Sequence, residues 1–132
     1  MGATIRDPEE FLPLTLAEFH ILLSLVDGER HGYGIMLEIA ERTKDKLRIG
    51  PATLYRAIKR LLDAALIEET DQRPDPQLDD ERRRYYRLSD FGRQVARAEV
   101  DRLMELIDYA KAKHLMRDID ITAHNGPKKT RR

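Results

Sequence analysis

The chain has 132 residues, 41% hydrophobic and 36% charged, a length and balance that suit one domain with a packed core and an appended helix. Its 24 lysines and arginines match 24 acids, so net charge gives no hint of a polyanionic partner. Cysteine is absent, which excludes disulfides and thiolate metal sites. No apolar run approaches the length of a membrane span, and no positively charged segment leads into an apolar stretch at the N-terminus, so a cytoplasmic protein with no membrane partner is expected.

Residues 1–13 carry Pro8 and Pro13 and read as a flexible arm, with Phe11 and Leu12 available to dock it. Thr15 and Glu18 have capping-box spacing, in which hydroxyl and carboxylate each satisfy an unpaired backbone N–H at a helix start. Leu16, Phe19, Leu23 and Val26 follow at helical spacing, widened by Leu22, and are expected to face the core. Asp27-Gly28 is expected to end this helix, glycine tolerating a left-handed cap. A second helix should begin near His31-Gly32-Tyr33-Gly34. Its narrow apolar face is Ile35, Met36, Ile39 and Ala40, and it fades at Thr43. A third begins at Pro51, since proline suits the first helical position. Leu54, Ile58, Leu61 and Ala65, with Leu62 beside them, make its expected buried stripe, leaving Thr53, Tyr55, Arg56, Lys59, Arg60 and Asp63 on other faces.

Leu66 to Thr70 reads as a strand leading into a hairpin tip that contains Pro74 and Pro76. On the return strand, Arg84, Tyr86 and Leu88 share the core-side face, and Arg83, Tyr85 and Arg87 share the other. Ser89 then caps a long fourth helix. Ala96, Val100, Leu103, Ile107 and Ala110 step by heptad intervals, with Leu106 flanking them. A helix this long outruns what three short helices can cover, so Val100, Leu103, Leu106, Ile107 and Ala110 are expected to form a dimer seam. Beyond Leu115 the pattern degrades, Asn125-Gly126-Pro127 breaks any helix, and Lys128 to Arg132 reads as a basic, disordered tail.

The order of elements gives a mainly α fold with a small β-hairpin: a winged helix-turn-helix domain over 14–88, a C-terminal dimerisation helix over 89–116 and a tail over 117–132. In such domains the third helix lies in the DNA major groove and the hairpin touches the flanking backbone. The charge distribution agrees. Lys44, Lys46, Arg48, Arg56, Lys59 and Arg60 face only Asp45 between positions 44 and 60, four arginines crowd 82–87, and acids gather from Glu68 to Glu81.

Arg56, Lys59 and Arg60 can therefore reach phosphates or base edges, arginine holding guanine through two hydrogen bonds at O6 and N7. The bland alternative is a solvated helix face. Tyr55 can bond a phosphate through its hydroxyl or serve as a half-buried core residue. Thr53 lies in the first turn, where backbone N–H groups favour anions. Arg83 is the arginine of the outer strand face expected at DNA. The acidic tip from Asp75 to Glu81 would repel phosphate and is expected to stay off the duplex. The four histidines have no metal-ligand spacing, so no metal or cofactor is expected. His31 is expected to cap or pack at the second helix, with Tyr33 beside it able to meet phosphate. No nucleophile–base pair, phosphate-binding glycine loop or carboxylate pair appears in a recognisable context, which argues against an enzyme. A protein-interaction module docking through the acidic wing and long helix is the competing reading.

The chain resembles the PadR family of bacterial transcriptional regulators. The resemblance is carried by Leu14-Thr15-Leu16-Ala17-Glu18-Phe19, His31-Gly32-Tyr33-Gly34-Ile35, Thr53-Leu54-Tyr55-Arg56-Ala57-Ile58-Lys59-Arg60-Leu61, Leu66-Ile67, Arg82 to Ser89, and Gly92. It covers about residues 14–115, and the ordered set is more specific than any single block. It implies a homodimeric winged-helix repressor on a palindromic double-stranded DNA operator, released by a small hydrophobic or phenolic effector. The C-terminal helix would pair with its mate and pack on the partner's first helix. Ala52 and Ala65 stand where the family usually has glycine, and the chain has no tryptophan with which to sandwich a flat drug.

Overall fold

The computed structural model describes residues 6–70 and 84–117. The chain divides into two compact units, residues 1–100 and 101–132. The first holds helices α1 (Leu16–Ser24), α2 (Gly32–Arg42) and α3 (Pro51–Asp63), strands β1 (Arg30–His31), β2 (Ile67–Thr70) and β3 (Tyr85–Leu88), and the start of α4 (Asp90–Ala112). A short 3₁₀ helix, Pro8–Phe11, precedes α1. Phe11 meets Phe91 edge-to-face at 5.5 Å, and the Arg6 guanidinium lies over the Phe91 ring at 4.2 Å. The fold is a winged helix-turn-helix.

The capping box read from the sequence is present: Thr15 N–H donates to Glu18 Oε1 at 2.9 Å and Glu18 N–H donates to Thr15 Oγ1 at 3.0 Å. The face of α1 differs from the expected one. Ile21, Leu22 and Leu25 are buried in the core, whereas Leu16 is 62% and Val26 42% exposed. The helix is apolar on most of its faces, Leu16, Ala17, Phe19, Ile21, Leu22 and Leu23 being interrupted only by Glu18 and His20, so two stripes fit helical spacing equally well. α1 also stops at Ser24, ahead of Asp27-Gly28.

The core joins those α1 residues to Ile35 and Ile39 of α2, Leu54, Ala57, Ile58 and Leu61 of α3, Leu66, Ile67 and Tyr86 of the sheet region, and Val95 and Ala96 of α4. Ala65 is not part of the α3 stripe. It follows the helix at φ 62°, in a Schellman turn where Ala65 N–H donates to the Leu62 carbonyl and Leu66 N–H to the Leu61 carbonyl, each at 2.9 Å. α2 and α4 end the same way, with Lys44 at φ 55° and His114 at φ 64°. None of these left-handed caps is a glycine, so the usual glycine signal for a helix end is missing from the sequence.

The hairpin is joined by a third strand that the sequence did not announce. The sheet order is β1-β3-β2, all antiparallel, with His31 opposite Tyr85 and Glu68 opposite Arg87. Tyr85 and Tyr86 are consequently both buried, the His31 ring packing edge-on against Tyr85 at 5.2 Å. Ser89 caps α4 as expected, accepting from Gly92 N–H at 2.9 Å while its hydroxyl donates to the Ala65 carbonyl at 2.7 Å.

Candidate nucleic-acid interface

α2, the turn over 43–50, and α3 form the helix-turn-helix. His31 is the N-cap of α2, its Nδ1 accepting from Gly34 N–H at 2.9 Å, so that nitrogen must be unprotonated. At the other end Thr43 Oγ1 donates to the Ile39 carbonyl at 2.9 Å and accepts from Leu47 N–H at 3.1 Å. Leu47 and Ile49 pack partly against the core. The turn is thereby held at several points, and it delivers Gly50-Pro51 to the start of α3. Gly50 offers no side-chain cap, which leaves first-turn N–H groups open to an outside acceptor.

Thr53, Tyr55, Arg56, Lys59 and Arg60 are all exposed on α3, opposite its buried stripe. They differ in how far they are already committed. The outermost row steps by four, three and four through Ala52, Arg56, Lys59 and Asp63. Among the described residues Arg56 makes no ion pair, and Lys59 Nζ stands 3.4 Å from Asp63 in a pair open to solvent. Arg60 lies on the flank facing α1 and binds Glu18 at 2.8 Å, the same carboxylate that completes the α1 capping box. Its guanidinium holds two helices together.

The aromatic candidates gather at the start of α2. Tyr55 lies directly over Gly32, where a Cβ would stand 2.3 Å from the Tyr55 hydroxyl oxygen. Only glycine there lets the ring settle on the helix, which leaves Tyr55 half exposed. Tyr33, the next residue along, is also half exposed and stacks on His31 with ring planes 12° apart. In the sheet, burial and then the Glu69 carboxylate push the Tyr86 phenol above its ordinary value.

On the wing, Arg84 pairs with Glu69 at 3.1 Å and Arg87 with Glu68 at 2.9 Å, so the arginines at its base partly neutralise the strand's own acids. Arg83 and the acidic tip lie outside the described residues. Arg30 and Arg42 flank Glu38 at 3.0 and 3.4 Å, and Arg42 also donates to His20 Nδ1 at 2.9 Å. Burial, and then the positive charge of Arg42, hold the His20 imidazole below its ordinary pKa.

On α4 the dimer-seam candidates are only partly covered. Val100, Leu106 and Ile107 are exposed, and Leu103 and Ala110 are half-buried. Met104 and Tyr109, which the heptad spacing passed over, are exposed as well. No helix among the described residues is long and apolar enough to cross a membrane.

A profile of the PadR-like transcriptional regulator family matches residues 21–98, more than half of the chain. This chain belongs to the PadR-like family of transcriptional regulators. Its match runs from α1 through the helix-turn-helix and wing into α4, so the PadR-like assignment rests on the elements just described. An uncharacterized protein of Lysinibacillus sphaericus is 34% identical over 73 residues, 55% of this chain. The chain spans 64% of the length of that curated relative. Among solved structures, a transcriptional regulator from Clostridium thermocellum has 26% identity, with 75% of this chain and 92% of that chain covered, at a TM-score of 0.62. Bacillus subtilis PadR in complex with operator DNA shares the fold at 21% identity and a TM-score of 0.52, with 72% and 60% covered.

Proposed function

We propose that this PadR-like chain is a sequence-specific DNA-binding repressor that works as a homodimer on a palindromic operator. The observation that carries the reading is the outward row of α3, which presents Arg56, free of any carboxylate among the described residues, and Lys59 in a solvent-open pair. Arg56 reads a base edge, and Lys59, Thr53, Tyr55 and Tyr33 hold phosphates, since phosphate contacts normally outnumber base contacts. Arg60 contributes chiefly by fixing α3 against α1 through Glu18. Arg83 is assigned a backbone contact at the base of the wing. The DNA-bound state of Bacillus subtilis PadR supports this use of the shared fold.

The dimer reading rests on two apolar stripes that are only partly covered in one chain. One is Val100, Leu103, Leu106, Ile107 and Ala110 of α4, with Met104 beside it. The other is Leu16, Leu23 and Val26 on the outer face of α1, outside the core cluster. A second copy covers both if its α4 pairs with its mate and lies on the partner's α1. Two-fold symmetry then matches a palindrome whose half-sites sit about one helical turn apart. A small hydrophobic or phenolic effector that releases the operator completes the reading.

Selection of fragments from the native genome with the purified protein tests it. Enrichment of paired half-sites, with affinity falling steeply as salt rises, is the expected result. Weak, salt-independent association with every fragment overturns it.

A further inference from the structure

The cations of the helix-turn-helix fall into two groups. Arg30 and Arg42 are bound to Glu38, Arg48 to Asp45 at 2.9 Å, Lys59 to Asp63 in its solvent-open pair, and Arg60 to Glu18. Lys44 and Lys46 are exposed and make no ion pair among the described residues, leaving them, with Arg56, as the cations of this motif without a carboxylate. The nearest acid in sequence, Asp45, is occupied by Arg48. The two lysines therefore carry undiluted positive charge on the segment that leads into α3.

Their backbone is as informative as their charge. Lys44 is left-handed in the Schellman turn that closes α2, and Asp45 after it is left-handed too at φ 64°, with Lys44 N–H donating to the Glu41 carbonyl at 3.1 Å and Asp45 N–H to the Ala40 carbonyl at 2.7 Å. At φ 55° a Cβ crowds the following carbonyl, and glycine is the residue that avoids this. Thr43, Leu47 and Ile49 pin the turn on either side of the lysines. The ammonium groups thus start from a fixed base, at a position where lysine is a poor choice for stability. Four residues after Lys46 comes Gly50, whose lack of a side-chain cap leaves the first N–H groups of α3 open.

We infer that Lys44 and Lys46 form a phosphate-holding patch that grips the DNA backbone beside the N-terminus of α3, and that lysine at position 44 trades stability for this contact. The inference rests on the DNA-binding reading above and adds to it a sequence-independent anchor. The patch fixes register and contributes counterion release, while discrimination between sequences stays with α3.

The test uses the full chain and a mixed-sequence duplex, with anisotropy measured from about 50 to 200 mM salt. Lys44→Gln with Lys46→Gln is expected to lower the log–log salt slope by about 3.6, at roughly 0.9 per lost phosphate contact and two contacts from each protomer of the proposed dimer, with the same loss on every sequence. Lys44→Arg with Lys46→Arg should retain the wild-type slope. Lys44→Gly should move two readouts in opposite directions, raising the thermal midpoint by roughly 5 °C while lowering the slope by about 2, one contact from each protomer. If the wild type binds duplex and the double glutamine variant keeps its slope, the patch is refuted and the α3 reading stands. If the wild type does not bind duplex and binds only anionic vesicles or an acidic protein, the DNA reading itself fails and this inference with it.

Discussion

Gly92→Ala sets local propensity against packing and fixes the sign of the outcome. Gly92 lies in the first turn of α4, where alanine is about 1 kcal/mol better than glycine on helix propensity alone. A Cβ at this position would stand 1.9 Å from the Leu66 carbonyl oxygen, 2.8 Å from its carbonyl carbon and 3.0 Å from Leu88 Cδ1. An ordinary carbon–oxygen contact is about 3.3 Å or more, so helix and chain must part by well over 1 Å. Neither side yields easily, because Leu66 and Val95 are buried core residues and the Leu66 carbonyl accepts from Ser89 N–H at 3.1 Å. Overpacking of this kind costs roughly 1–3 kcal/mol, and disturbing the Ser89 cap adds about 1 kcal/mol more. After the propensity gain, a net loss of about 1–3 kcal/mol remains, a fall of roughly 5–15 °C in thermal midpoint for a domain of this size. Circular dichroism melts and urea titrations of the two proteins read it. An unchanged or raised midpoint would refute the close approach of α4 to Leu66.

Ala65→Gly should stabilise the chain by about 1 kcal/mol in urea, since it relieves a left-handed alanine at φ 62°. An unchanged urea midpoint would count against that conformation. His20 has a lowered pKa in the folded state, so between the ordinary value of 6.5 and that depressed value the unfolded chain binds the extra proton. Stability should therefore be level above pH 6.5 and fall as pH drops through that window, and His20→Gln should flatten the loss. A wild type and a His20→Gln variant with parallel acid profiles would contradict the Arg42–His20 geometry. Ile107→Lys should convert the proposed dimer to monomer in sedimentation velocity, and a wild type that sediments as a monomer at high concentration would remove the basis for the seam.

Much of the fold is written in short-range chemistry. The Thr15–Glu18 box, Pro51 at its helix start, Ser89 as a cap and the Leu54–Ile58–Leu61 stripe each follow from one local rule, and each is present. The misjudged features depend on partners distant in sequence. α1 offers two apolar faces, and only packing against α2 and α3 selects Ile21, Leu22 and Leu25. Strand β1 is two residues long, too short for alternation to show, and it exists because β3 is there to pair with it. Ala65 continued the α3 periodicity on paper, but the chain turns there without a glycine to mark it. At the candidate interface, spacing identified the exposed cations of α3. It could not separate Arg56 from Arg60, because Glu18 lies 42 residues away in the chain. The unpaired state of Lys44 and Lys46 was hidden for a local reason: spacing does not tell which neighbouring cation the acid between them takes, and it takes Arg48.

The central claim is that the outward cations of α3 read DNA. Its most direct test is the affinity of an Arg56→Glu, Lys59→Glu variant for a fragment selected by the wild type, measured beside a mixed-sequence duplex. The account requires the variant to fold with an unchanged melt and to lose its preference for the selected fragment, by roughly tenfold or more, since one good bidentate base contact discriminates by about 1–3 kcal/mol. A variant that still prefers the selected fragment as strongly as the wild type does would contradict it.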